Sequence, residues 1–251
     1  MRSRFRQIIE EACWEILPER QPLYVVFGSE APRDLICSDA LGYCARHLDM
    51  ALRGHLEKRW AGRGPAMILN DRAAFHFVKA ARSGRPVIHW RRELLRAAVH
   101  ELAHIVSRPL LPGELDDNLP RAEEKIKCLR ACCSLTTPPA IETPCPWENH
   151  SADFIRIAQH AGHRMQSAVG FFLPREWVNT RDYGLDSGEW KYQTALGNEP
   201  ERLAVVPLSE IVHIPPPVQF IELWRSDCRA WFQSLHSPTA EQSAALVRGL
   251  K

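Results

Sequence analysis

The sequence predicts an α+β fold, with a small mixed sheet packed on one central helix and a helical C-terminal extension. Three observations point there. Apolar side chains recur at helical intervals in residues 4–16, 38–60 and 91–107. Three short apolar runs, at residues 23–27, 66–69 and 86–90, have the length of strands. The most distinctive motif of the chain, at residues 100–104, lies inside the third helical segment. With 251 residues, 45% of them hydrophobic and 25% charged, the chain can bury a sizeable core as one large domain or a domain with an appendage.

Phe5, Ile8, Ile9, Ala12, Cys13 and Ile16 form one stripe of an amphipathic helix that ends before Pro18. A strand is expected at residues 23–27. Leu41, Ala45, Leu48, Leu52 and Leu56 predict a helix over residues 38–60, with Gly62 and Gly64 as its stop. Residues 66–69 and 86–90 read as two further strands, the second turning into the helix of residues 91–107. Pro-rich loops at 107–120 and 136–149 flank a helix at 123–135. Another helix begins near Ser151, and residues 220–235 form a last amphipathic helix after Pro215-Pro216-Pro217, with 236–251 as a tail. Trp177, Trp190, Trp224 and Trp231 are expected to pack, an aromatic ligand groove being the alternative. Residues 1–165 are expected to form the main domain. Residues 166–251 are an extension whose role, as lid, targeting module or continuation of the same domain, stays open.

Charge narrows the partners. Thirty-two basic residues against 30 acidic ones leave no electrostatic footprint for nucleic acid. Arg2, Arg4 and Arg6, like Arg91, Arg92 and Arg96, are expected on solvated helix faces. No apolar run approaches the roughly 20 residues that span a bilayer, and acids and arginines interrupt any signal-peptide core near the N-terminus. A cytoplasmic protein is expected, with its eight cysteines as thiols or metal ligands rather than a disulfide framework.

The motif is His100-Glu101-Leu102-Ala103-His104. Positions four apart on a helix lie one above the other, so both imidazoles can reach one Zn²⁺ while Glu101 addresses a water beside it. Taking His100 as the origin at 100° per residue, Leu94, Leu95, Ala98, Val99, Leu102, Ile105 and Val106 fall between about 120° and 260°, and His104 falls at about 40°. The histidines therefore face away from the apolar arc. A helical histidine taken singly is usually a core or surface residue. Paired at this spacing around a glutamate, the two predict a hydrolytic metal site.

Such a site needs a third protein ligand. His150 is the first candidate, at the entrance of the helix that follows the second Pro-rich loop and on a stripe with Phe154, Ile157 and Ala161. Ser151 or Asn149 is available as N-cap, and Asp153 suits the positive end of the helix dipole. Glu124, or its neighbour Glu123, is the second candidate, 20 residues beyond His104. A Glu-Glu-Lys run is also the ordinary composition of a solvated helix face. His160 and His163 are the third.

The pentapeptide followed at a distance by His150-Ser151-Ala152-Asp153-Phe154 resembles the SprT-like zinc metalloproteases, whose second motif reads His-Gly-x-Glu-Phe and supplies the third ligand. Ser151 stands where that family has Gly and Asp153 where it has Glu, and the 46-residue spacing is long for it. The resemblance covers at most residues 66–165. It implies a zincin-like fold and a peptidase in which His100, His104 and His150 bind Zn²⁺ and Glu101 is the general base, acting on a protein or peptide. An extended substrate would add to an edge strand, for which residues 86–90 are the nearest candidate. No further oxyanion donor is singled out among His160, His163, Tyr183 and Tyr192. The zinc ribbon common after the catalytic domain in SprT-like proteins is missing, since only Cys228 follows Cys145. Cys128, Cys132, Cys133 and Cys145 could hold a second metal but lack a Cys-x-x-Cys pair, so buried thiols are the simpler expectation. A non-catalytic zinc-binding protein on the same scaffold is the alternative, and an intact Glu101 speaks for the enzyme. A non-peptide amidase is a further possibility within the enzymatic class.

Overall fold

A computed structural model of the chain describes residues 2–36, 40–45, 47–80, 86–107, 151–170 and 187–236. Helix α1 (Arg2–Ile16) is followed by strands β1 (Tyr24–Phe27) and β2 (Gly42–Cys44), helix α2 (Leu48–Leu56) and strand β3 (Ala66–Leu69). Helices α3 (Asp71–Ala80), α4 (Pro86–Ser107) and α5 (Ala152–Val169) come next. The C-terminal part supplies α6 (Glu189–Leu196), α7 (Glu199–Arg202), a 3-10 turn at Leu208–His213 and α8 (Val218–His236). The architecture is a mixed α+β one, mostly helical, around a three-stranded sheet.

The strand order is β1-β3-β2. β1 runs parallel to β3, with Tyr24 opposite Ala66 and Phe27 opposite Leu69, whereas β2 is antiparallel, with Gly42 opposite Leu69 and Cys44 opposite Met67. Period-two alternation divides the sheet between two hydrophobic clusters. Val25, Phe27, Met67 and Leu69 join the cluster of α1, α4 and α5, while Tyr24, Val26, Tyr43, Ala66 and Ile68 pack with Leu48, Leu52 and Leu56 of α2. Both faces are covered, which is why β1 and β3 are buried along their whole length and read as unbroken apolar runs. A buried carboxylate ties α1 to the sheet. Glu10 accepts hydrogen bonds from Arg59 at 2.6 Å, from Arg6 at 2.9 Å and from the Val25 N–H at 3.3 Å.

Two expected elements change and one is new. Residues 86–90 are not a strand but the first turn of α4. Pro86 opens that helix, where its missing N–H costs no hydrogen bond and its fixed φ is already helical; the β-branched Val87 and Ile88 suggested otherwise. Residues 38–60 are not one helix. Leu41, Tyr43 and Ala45 satisfy period two as well as Leu41 and Ala45 satisfy a helical period, and Gly42–Cys44 pairs with β3 before α2 starts at Leu48. Helix α3 was not foreseen. It is announced by Asn70, whose Oδ1 caps the Ala73 N–H at 3.0 Å, and Asp71, which accepts from the Ser29 N–H and hydroxyl, both at 2.8 Å.

α5 is the seam between the two halves. Phe154, Ala158, Ala161 and Met165 are buried in the cluster that contains Leu94, Leu95, Ala98 and Leu102 of α4, and the same cluster takes in Tyr192, Leu196, Leu208, Ile211 and Phe220. Trp190, expected to pack, is 65% exposed on α6. Cys13, Cys44 and Cys228 are thiols rather than half-cystines, and burial pushes the Cys13 thiol well above its usual range. Among the described residues no helix is long and apolar enough to cross a membrane.

Candidate metal centre

Helix α4 is buried on more sides than its sequence projection suggests. Leu94, Leu95, Ala98, Val99, Leu102 and Val106 are inside as expected, but so are Ala97, Ala103, Glu101 and His104. β2 accounts for one of these added faces. At Gly42 a Cβ would lie 3.2 Å from the Ala97 Cβ and 3.4 Å from the Glu101 Cγ, so the missing side chain brings the strand onto the helix beside Glu101. The Cys44 thiol, two residues on, lies 3.7 Å from the Glu101 carbonyl. A carboxylate held at 4% exposure is unusual in a globular core. Here it follows from one glycine and one helix position.

The histidines lie on the neighbouring stripe. His104 is 7% exposed and His100 half-buried. Their rings meet edge to face, with centroids 4.8 Å apart at 77°, and the two Nε2 atoms are 3.1 Å apart. Two nitrogens bound to one zinc at roughly 2.0–2.1 Å in tetrahedral array would be about 3.3–3.4 Å apart, a few tenths of an ångström more. Neutral imidazoles can also share one proton across this contact, one donating and the other accepting. The donor set and its separation therefore fit zinc at two of its positions.

The third position is not supplied by the described residues. Among them no further His, Cys, Asp or Glu joins the pair as a metal-holding group. His150, Glu123, Glu124, Cys128, Cys132, Cys133 and Cys145 all lie outside the described residues, as does Tyr183. Ser151, which directly follows His150, is described. It caps α5, its Oγ accepting from the Phe154 N–H at 3.4 Å. Phe154 in turn lies against both imidazoles, its ring centroid 5.0 Å from that of His100 and 4.4 Å from that of His104. Glu93, two turns before His100, is paired with Arg96 at 3.1 Å.

His160 and His163 belong elsewhere. At 100° per residue His160 is about 240° round α5 from Phe154 and His163 about 180°. The His160 Nε2 lies 2.8 Å from Glu199 Oε1, which also accepts from Arg156 Nε at 2.7 Å, and the three side chains are buried. Arg156 donates further to the carbonyls of Ile211 and Ile214. Burial pushes His160 below the usual histidine value, despite the carboxylate beside it. At Glu199 burial acts upward, but the hydrogen bonds and charges of His160 and Arg156 prevail and hold it below the usual range. Tyr192 is likewise engaged, donating to Asp227 at 2.6 Å. His163 faces Glu201 at 3.6 Å.

Compared with protein-family models, curated proteins and solved structures, the chain finds no match in any of the three. The functional argument rests on its own residues. The sequence places Phe154 on the His150 stripe and at the end of the second motif, without a role toward the histidines, and gives Gly42 no role at all. The aromatic one turn after the proposed third ligand and the lone glycine between apolar residues were the available signals.

Proposed function

We propose that this chain is a zinc-dependent peptidase of zincin-like fold, similar to the SprT-like metalloproteases. The observation that carries the proposal is the pair of imidazoles on one helix with Nε2 atoms 3.1 Å apart, and a buried glutamate one residue after the first. Zinc held there would acidify a water and polarise the scissile carbonyl. His100 and His104 are two of its ligands and His150 the third, with Glu124 the alternative. Glu101, one helical position off the histidine stripe, takes the proton of the attacking water and returns it to the departing amine.

The position proposed for an extended peptide moves from residues 86–90 to β2. β2 is an outer strand of the sheet and packs on α4 beside Glu101, while β1 at the other edge is buried throughout. A peptide adding to β2 would run past the histidine pair. The proposed substrate is a protein or peptide in the cytoplasm, and the near-neutral charge balance favours no nucleic-acid partner.

The burial of Glu101 and His104 favours a second reading, a metal site that holds the fold and does no chemistry. Zinc content and proteolysis of the parent, Glu101→Gln, His150→Ala and Glu124→Ala proteins separate the two. The peptidase requires that Glu101→Gln keep its zinc and lose cleavage. A parent free of zinc ends both readings, and metal loss in Glu124→Ala but not in His150→Ala reassigns the third ligand.

A further inference from the structure

We propose that Phe154 is the positioning residue of the histidine pair, holding both imidazoles in the rotamers that bring their Nε2 atoms together. The inference rests on the metal site proposed above and adds to it the group that organises the ligands before metal arrives.

The three rings close a triangle. Centroids are separated by 4.8 Å between the histidines, 5.0 Å from His100 to Phe154 and 4.4 Å from His104 to Phe154. The interplanar angles of 77°, 72° and 36° make two of the contacts edge to face and the third tilted, arrangements that aromatic quadrupoles favour. Each imidazole is thus flanked by two other rings, which narrows the space into which it can turn. Phe also has no polar atom to compete for a ring nitrogen.

Phe154 can restrain the pair because it is itself restrained. It is fully buried in the first turn of α5, and its N–H donates to the capping Ser151 hydroxyl. The opposite side of α5 is held by Arg156 and His160 on Glu199 and by Arg156 on two carbonyls of the C-terminal part. A helix held on its far side cannot roll the phenyl ring away. Residues 187–236 thus act on the histidines through one aromatic ring, at no cost in polar contacts to the site.

The test is the Zn²⁺ affinity of the full chain, read by competition with a chelating indicator. Phe154→Leu keeps the site apolar and removes the ring, and should weaken zinc binding about 10- to 100-fold, the usual effect of changing a group that orients a metal ligand. Phe220→Leu is the control, an equally buried ring that packs on Tyr192 at 5.6 Å. It should lower the melting temperature and leave the affinity unchanged. Phe154→Met fills the same space without a ring and should weaken binding as the leucine variant does, which preserves the test if Phe154→Leu fails to fold. In the metal-free parent the His100 and His104 ring protons should carry a ring-current contribution from Phe154 that Phe154→Leu removes. Unmoved histidine resonances, parent-like affinity in Phe154→Leu, or equal weakening in Phe220→Leu overturns the role of Phe154 while leaving the metal site standing. A parent that binds no zinc overturns both.

Discussion

Helix α5 has a buried histidine environment on each of two sides, and the two are built on opposite principles. On one side His160 meets Glu199, which also accepts from Arg156, so charge is matched by charge within hydrogen-bonding distance. On the other, His100 and His104 of α4 turn Nε2 toward each other and lie against the apolar face of Phe154. A histidine aimed at a carboxylate is a fastener. Two histidines with Nε2 atoms 3.1 Å apart can share a proton or, as proposed above, a metal.

The largest effect that sharpens this contrast is chemical. Glu101→Gln should lower proteolysis by about 10²- to 10⁴-fold, the usual contribution of a general base, with zinc content and melting temperature close to the parent's. Its counterpart on the other side is Glu199→Gln, which leaves Arg156 buried beside a neutral amide. It should cost about 3–5 kcal/mol of stability in a urea titration. If instead Glu199→Gln abolished cleavage with stability intact, the fastener would be part of the chemistry and the contrast would break.

Gly42→Ala is expected to have a smaller effect. The new Cβ would stand 3.2 Å from Ala97 and from Leu69, so β2 and α4 must separate slightly, at about 1–3 kcal/mol by the usual cost of overpacking. Because Glu101 lies against the same point, cleavage should fall more than stability does.

The smallest expected effect is that of pH. His160 titrates below its unfolded value of 6.5 because burial disfavours its charged form, so below about that pH the unfolded chain binds the proton more readily and stability declines. Glu199 is also held below its unfolded value of 4.5, where burial is outweighed by His160 and Arg156. Its contribution is present above that value and lost as pH falls through the lower folded one. Both signs agree, so acid should destabilise the fastened side, and His160→Gln should flatten the first part of that decline in thermal melts between pH 7 and 5.

Much of the fold near the site was legible. The stripe of α1 follows from helical periodicity, β1 and β3 from their short unbroken apolar runs, and α8 from its amphipathic spacing. Misreadings came where two periods fit the same residues. Leu41, Tyr43 and Ala45 serve a strand as well as a helix, and Val87 and Ile88 favour a strand until Pro86 is seen as a first helical residue. Trp190 was misplaced because size alone does not say which side of a short helix is covered.

The sequence by itself determined that His100 and His104 share a helix stripe with Glu101 beside them, since helical geometry makes that a matter of counting. It narrowed the cap of α5 to Ser151 or Asn149, and the structure gives Ser151. Only the tertiary structure decided that Gly42 brings β2 onto Glu101, that Phe154 closes over both imidazoles, and that His160 belongs to Glu199. Each of these is a contact between segments far apart in the chain. Local periodicity records which way a side chain points, not what it meets there.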